Sequence, residues 1–106
     1  MRAGPGPRPF QMPFQAITPH RFSAASVRVY APSAPGVYGL SNSSQWIFIG
    51  STEDIQSTLL GYFDEPDRGI MRYAPVGFVF EVCWPQDQGS RVRRLVKEYS
   101  PVCNRT

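Results

Sequence analysis

The chain has 106 residues and a formal net charge of +3, from 11 Lys and Arg against 8 Asp and Glu, a length that allows one domain with one modest core, since small domains bury only roughly 60–70% of the surface they expose when unfolded. Its apolar runs are short and broken by Pro, Gly or Ser, far from the ~20 consecutive apolar residues that a membrane helix needs, so no membrane partner is expected. Gly4, Pro5, Pro7 and Pro9 interrupt any secretory leader, and a soluble, cytoplasmic protein is the expectation.

Residues 1 to about 14 combine Pro, Gly and Arg with few apolar side chains. Such a composition cannot repay its ordering entropy by burial, so a flexible Pro/Arg-rich tail is expected ahead of a single domain over 15–106. Met12 stands just before Pro13-Phe14, where apolar residues become regular, and is an alternative to Met1 as the start of translation. Thr18 to Tyr30 reads as a lead-in with one helical turn around Phe22-Ser23-Ala24-Ala25, stopped by Pro32 and Pro35. His20, within it, reads as a loop residue.

Val37 to Leu40 and Trp46 to Ile49 are rich in β-branched and aromatic residues and flank Ser41-Asn42-Ser43-Ser44, which is turn chemistry. That pattern predicts a β-hairpin. Gly50 ends the second strand, and Ser51-Thr52 with Glu53-Asp54 then supplies a helix start, a hydroxyl for the orphan amides and acids for the positive end of the dipole. The helix is expected to run to about Phe63, with Ile55, Leu59, Leu60 and Phe63 forming one apolar stripe against the sheet. After a loop marked by Asp64-Glu65-Pro66-Asp67 and Gly69, Gly77 to Trp84 reads as a third strand ended by Pro85. A second helix follows, with Gly89-Ser90 as its cap, Val92, Leu95, Val96 and Tyr99 at helical spacing, and Pro101 as its stop. Trp46 and Trp84 read as core or edge residues rather than platforms for stacked bases. The order hairpin, helix, strand, helix predicts a small α+β sandwich, a three-stranded, mostly antiparallel sheet flanked by helices.

Cys83 and Cys103 are too few for a disulfide framework, and with His20 the lone histidine no Cys/His spacing resembles a zinc site. Both read as reduced, packing as small apolar residues. Charge is segregated along the chain. No acid precedes Glu53, while Arg2, Arg8, Arg21 and Arg28 make the first half basic, and Arg91, Arg93, Arg94, Lys97 and Arg105 do the same for the end. On the second helix Arg91, Arg94 and Glu98 recur on one outward flank and Arg93 and Lys97 on another. A solvated face is the plain reading. The sharper one makes Arg91, Arg93, Arg94 and Lys97 nucleic-acid-binding residues, because the planar fork of arginine suits phosphate, and such contacts position nucleic acid without reading its sequence.

Gly36-Val37-Tyr38 and Phe48-Ile49-Gly50 on the hairpin, Gly50-Ser51-Thr52-Glu53-Asp54-Ile55 after it, and the ending from Leu95 through Pro101 to Asn104 together make residues 36–104 resemble a GIY-YIG nuclease domain. The resemblance implies metal-dependent cleavage of a phosphodiester, with a tyrosine near the attacking water, an arginine on the first helix against phosphate charge, and a glutamate on the later helix holding one divalent metal. Carried over by position, Tyr38 keeps the first motif's tyrosine. Phe48 replaces the second motif's tyrosine and has no hydroxyl. Thr58 stands where the arginine belongs, Tyr62 occupies a position where histidine or tyrosine is common, and Val92 falls on the position of the metal-binding glutamate. Asp54, Thr58 and Tyr62, four apart, share a helix face.

The expectation is a catalytically degenerate GIY-YIG-like binding module for nucleic acid that needs no cofactor. Two other readings stay open. An active endonuclease with relocated residues would need Mg²⁺ or Mn²⁺; Glu81, alternating with Phe80 and Val82, is the candidate carboxylate if it shares the side of Tyr38, and Arg68 and Arg72, otherwise solvated loop arginines, are the candidate cations. A structural or regulatory interaction domain would instead have a protein partner.

Overall fold

The computed structural model describes residues 18–104. The expected tail, the alternative start at Met12, and Arg2, Arg8 and Arg105 lie outside the described residues. Within them the chain forms strand β1 (His20–Arg21), helix α1 (Ala24–Tyr30), strands β2 (Gly36–Ser41) and β3 (Trp46–Thr52), helices α2 (Ile55–Asp64) and α3 (Arg68–Met71), strand β4 (Gly77–Val82), helix α4 (Pro85–Tyr99), and a closing 3₁₀ turn at Val102–Asn104.

The hairpin forms as its composition predicts. Asn42 closes the turn, its Oδ1 accepting from the backbone N–H of Ser44 and Gln45 at 2.8 and 2.9 Å, the usual way an Asx side chain imitates a backbone turn. Tyr38 faces Gly50 across the β2–β3 ladder, and a bulge follows Leu40. β4 then pairs antiparallel on the other side of β2, with Tyr38 opposite Phe80. The sheet holds four strands in the order β1-β4-β2-β3, one more than predicted. The extra strand is β1, which pairs His20 with Phe78 and Arg21 with Gly77. Two residues carry no alternation for a sequence pattern to reveal. His20 is therefore a strand residue rather than a loop residue, its ring stacked on Tyr30 at 4.3 Å.

The helix boundaries follow from their caps. The lead-in is longer than a turn because Ser23 caps α1, its Oγ accepting from the Ser26 N–H, and Pro32 disfavours helix beyond Ala31. β3 continues past Gly50 to Thr52, and Asp54 caps α2 by accepting from the Ser57 N–H at 2.9 Å. α4 begins at Pro85, four residues before the predicted Gly89-Ser90 cap, with Trp84 at the cap position and no side-chain cap bond. Proline at the first helical position needs no hydroxyl, since its φ is already helical and its missing N–H is one the helix could not use.

Two apolar layers sandwich the sheet. On one face Ile55 and Leu59 of α2 and Val27 of α1 pack with Tyr38, Leu40 and Phe78. On the other, Leu95 of α4 is buried with Val37, Ile49 and Val79, and Val92, Val96 and Tyr99 lean on them. The predicted stripe on α2 weakens toward its end, where Phe63 is 38% exposed yet keeps its ring 4.7 Å from Phe22.

Gly36 and Asn104 hold the ends of this arrangement. A Cβ at Gly36 would collide with the Glu81 carbonyl oxygen of the neighbouring strand, so only glycine lets β2 and β4 close there. Along the outer edge of β3, the Asn104 amide accepts from the Ile49 N–H at 2.8 Å and donates to the Ile49 carbonyl at 2.9 Å. One side chain thus stands in for a strand and blocks that edge. Asn104→Ala should leave both Ile49 groups without a protein partner and destabilise the fold by about 1–3 kcal/mol, read as a lower urea midpoint at unchanged slope.

Candidate functional site

Tyr38 sits mid-strand in β2 and points to the α2 side of the sheet, where only 4% of it is exposed. Its hydroxyl meets the hydroxyl of Tyr62, from the last full turn of α2, at 2.9 Å. Gly50, directly across the ladder, makes the approach possible, because a Cβ there would stand 3.1 Å from the Tyr38 Oη and 2.7 Å from the Phe48 Cε2. Phe48 lies beside the pair, its ring centre 6.1 Å from that of Tyr38.

Burial pushes the Tyr38 hydroxyl well above the ordinary tyrosine value, with the neighbouring Tyr62 and the charge of Asp67 adding to the effect. Burial raises Tyr62 in the same direction. Both phenols are therefore neutral near pH 7 and occupied with each other. A general base works when its pKa lies near the operating pH, and among the described residues no cation lowers either phenol.

Thr58, at the position of the resemblance's arginine, turns its hydroxyl to Thr52 Oγ1 at 2.6 Å. Thr52 Oγ1 also accepts from the Asp54 N–H, and its carbonyl accepts from the Gln88 side-chain amide of α4 at 3.0 Å. A neutral hydroxyl network fills the place assigned to a guanidinium. Val92, one turn beyond Gln88, packs with the apolar cluster on the α4 face, whereas Tyr38, Phe48 and Tyr62 belong to the cluster on the α2 face. The structure brings Tyr38, Phe48 and Tyr62 together and leaves Val92 in a different layer. Gln88 was not singled out by sequence, and its spacing of four from Val92 is the only signal that marks it.

Glu81 lies opposite Val37 in the β2–β4 register, so it faces away from Tyr38, which corrects its candidacy as a carboxylate on that side. It accepts two hydrogen bonds from Arg91, Nε to Oε2 and Nη2 to Oε1, both at 2.7 Å. These bonds favour the charged guanidinium and push the Arg91 pKa up. Arg91 is thus turned inward on a carboxylate. Arg93, Arg94 and Lys97 are exposed on α4, and among the described residues the Arg91–Glu81 pair is the salt bridge found.

The remaining candidates are scattered. Arg68 opens α3 and Arg72 closes it, both exposed, with the Arg72 guanidinium 5.5 Å over the Tyr73 ring. They are helix-end residues rather than loop arginines, because Asp67 caps the short helix. Trp46 packs on Tyr99 at 4.6 Å, but Trp84 is 70% exposed rather than packed. Cys83, between β4 and α4, and Cys103, in the closing 3₁₀ turn, are both half-buried free thiols, and burial pushes both upward. Among the described residues, no group of three or more His, Cys, Asp or Glu side chains is placed to hold a cation, and a valine at the glutamate position offers none, so these residues do not fit the divalent metal that the resemblance implies.

No family model matches the chain, and no curated protein matches it in sequence. Solved structures do. The chain is similar to the GIY-YIG N-terminal endonuclease domain of UvrC from Thermotoga maritima, one point mutant of which, bound to its catalytic divalent cation, matches with a TM-score of 0.64 and 22% identity over 76% of this chain and 96% of that one. A second point mutant matches with a TM-score of 0.60 and 25% identity over 71% and 91%, and the magnesium-bound domain with 0.60 and 23% over 71% and 91%. The fold is that of the GIY-YIG endonuclease domain, as the two tripeptides suggest.

The raised phenols of Tyr38 and Tyr62 make stability sensitive to alkali. Folded, Tyr38 and Tyr62 hold their protons above the ordinary tyrosine value of 10.0, so unfolding releases protons and stability falls as pH rises beyond about 10. Tyr38→Phe should flatten that slope, measured as urea midpoints between pH 8 and 11. Tyr62→Phe should cost about 1–3 kcal/mol at neutral pH by stranding the buried Tyr38 hydroxyl.

Proposed function

We propose that this GIY-YIG-fold chain is a binding module for nucleic acid in which phosphodiester cleavage has been lost. The observation that carries this reading is the replacement of three functional groups at once. Phe48 has no hydroxyl, Thr58 is hydrogen-bonded to Thr52, and Val92 packs with apolar residues. A cleaving site needs positive charge where phosphate charge develops and a potent nucleophile. The side chains at these positions supply neither.

Binding makes fewer demands. Phosphate contacts by lysine and arginine give affinity without base recognition, and Arg93, Arg94 and Lys97 are exposed together on α4. The similar domain of UvrC is an endonuclease domain by its name, which makes nucleic acid the natural partner for a retained scaffold. α4 covers the sheet face opposite the Tyr38–Tyr62 pair. Binding through it leaves that pair as structure.

Titration of short DNA and RNA duplexes at a series of salt concentrations tests this. Affinity should fall steeply with salt, with a log–log slope that decreases by ~2–3 when Arg93, Arg94 and Lys97 are replaced by alanine. Arg91→Ala should mainly destabilise the fold, because it leaves Glu81 half-buried without its cation. Absence of binding at low salt, or binding indifferent to salt, would reject nucleic acid as the partner.

A further inference from the structure

Pro19, the turn residues Ser41 to Gln45 and Trp46 line an open cleft of about 290 Å³ at the closed end of the hairpin. Ser41 stands opposite Trp46 in β3 and opposite Gly77 in β4. A Cβ at Gly77 would lie 2.8 Å from Pro19 Cβ and 3.3 Å from Ser41 Oγ, so the glycine lets the proline ring and the hydroxyl come together at the cleft wall.

This end of the sheet is fixed in advance of any ligand. Asn42 Oδ1 accepts from the Ser44 and Gln45 N–H groups, and its Nδ2 donates to the Tyr73 carbonyl at 2.7 Å. The Val76 N–H donates to the Ser41 carbonyl at 2.8 Å. Ser41 is only 7% exposed, yet among the described residues its hydroxyl has no hydrogen-bond partner, nor has the side-chain amide of the half-buried Gln45. A buried polar group without a partner costs desolvation that native folds rarely leave unrecovered. Its place on the wall of an open cleft points outward from the fold, to a ligand.

The cleft adjoins the basic helix. The Trp46 ring packs on that of Tyr99, the last residue of α4, at 4.6 Å, and the same helix exposes Arg93, Arg94 and Lys97 against the single exposed acid Glu98 in that stretch. The volume is near the lower end of the ~300–1,000 Å³ that small-molecule sites span, which suits one flat heterocycle. An indole, a proline ring, a hydroxyl and an amide form the set that stacks an unpaired base and meets its edge.

We propose that this cleft receives one unpaired nucleobase of a single strand whose phosphates lie along α4. The proposal rests on the reading of α4 as a phosphate-binding surface and adds the element that distinguishes single strands from duplexes. Ser41 Oγ and the Gln45 amide can each donate and accept, so they meet the edge of any base, whereas a paired base has its edge already occupied.

Titration of the Trp84→Phe chain with single-stranded and duplex oligonucleotides of equal length tests this. Trp46 is then the one tryptophan, and Trp84 is 70% exposed and outside the cleft. Single strands should bind roughly 5-fold or more tightly than duplexes, the scale of one stacked base, and should quench Trp46 emission, which duplexes leave unchanged. Ser41→Ala combined with Gln45→Ala should remove most of that preference at unchanged duplex affinity. A strand of abasic sites should show no preference over duplex. Equal affinity for the two forms, a single strand that binds without quenching, or a preference indifferent to the Ser41 and Gln45 exchanges would overturn the proposal, and salt-dependent binding that needs Arg93, Arg94 and Lys97 would then leave the α4 reading standing. Binding of neither form overturns both.

Discussion

The close approach of Tyr38 to Tyr62 over a glycine organises this domain. The phenol of Tyr38 rises from the centre of the sheet, and Gly50 leaves the space for it across the ladder. Tyr62 meets it from α2. The contact ties α2 to the sheet on the face where Ile55 and Leu59 enter the core. It also decides the chemistry. The buried Tyr38 hydroxyl finds its partner in the half-buried Tyr62, and burial holds the protons on both phenols.

Two further sets of polar groups are engaged internally. Thr52 connects Thr58, Asp54 and Gln88. Glu81 and Arg91 form a two-point pair on the opposite face, an arrangement that needs its geometry to offset desolvation. Hydroxyls are bonded to hydroxyls on the α2 side of the sheet, and a carboxylate to an arginine on the α4 side. Arg93, Arg94 and Lys97 are exposed on α4, which packs on the sheet face opposite the Tyr38–Tyr62 pair.

Much of this was legible in the sequence, for specific reasons. The hairpin announced itself by β-branched and aromatic runs around Asn42, and both long helices by apolar residues at helical spacing. The two tripeptides and the Pro/Asn ending pointed to the fold that the solved structures share. What escaped was either short or non-local. β1 has two residues and α3 four, too few for any period. Alternation along β4 showed that Glu81 has a side without showing which, since that depends on its opposition to Val37 in another strand. The partner of Arg91 is likewise ten residues away on a different element. The start of α4 was misplaced because Gly89-Ser90 resembles a cap while Pro85 does the same work without a hydroxyl.

The central claim is that the cleaving constellation has been replaced by groups that hold the fold. Nicking of supercoiled plasmid by the purified chain, in magnesium and in manganese, tests it most directly. The account predicts no metal-dependent turnover above the buffer rate. Metal-dependent nicking that disappears on Tyr38→Phe would contradict it.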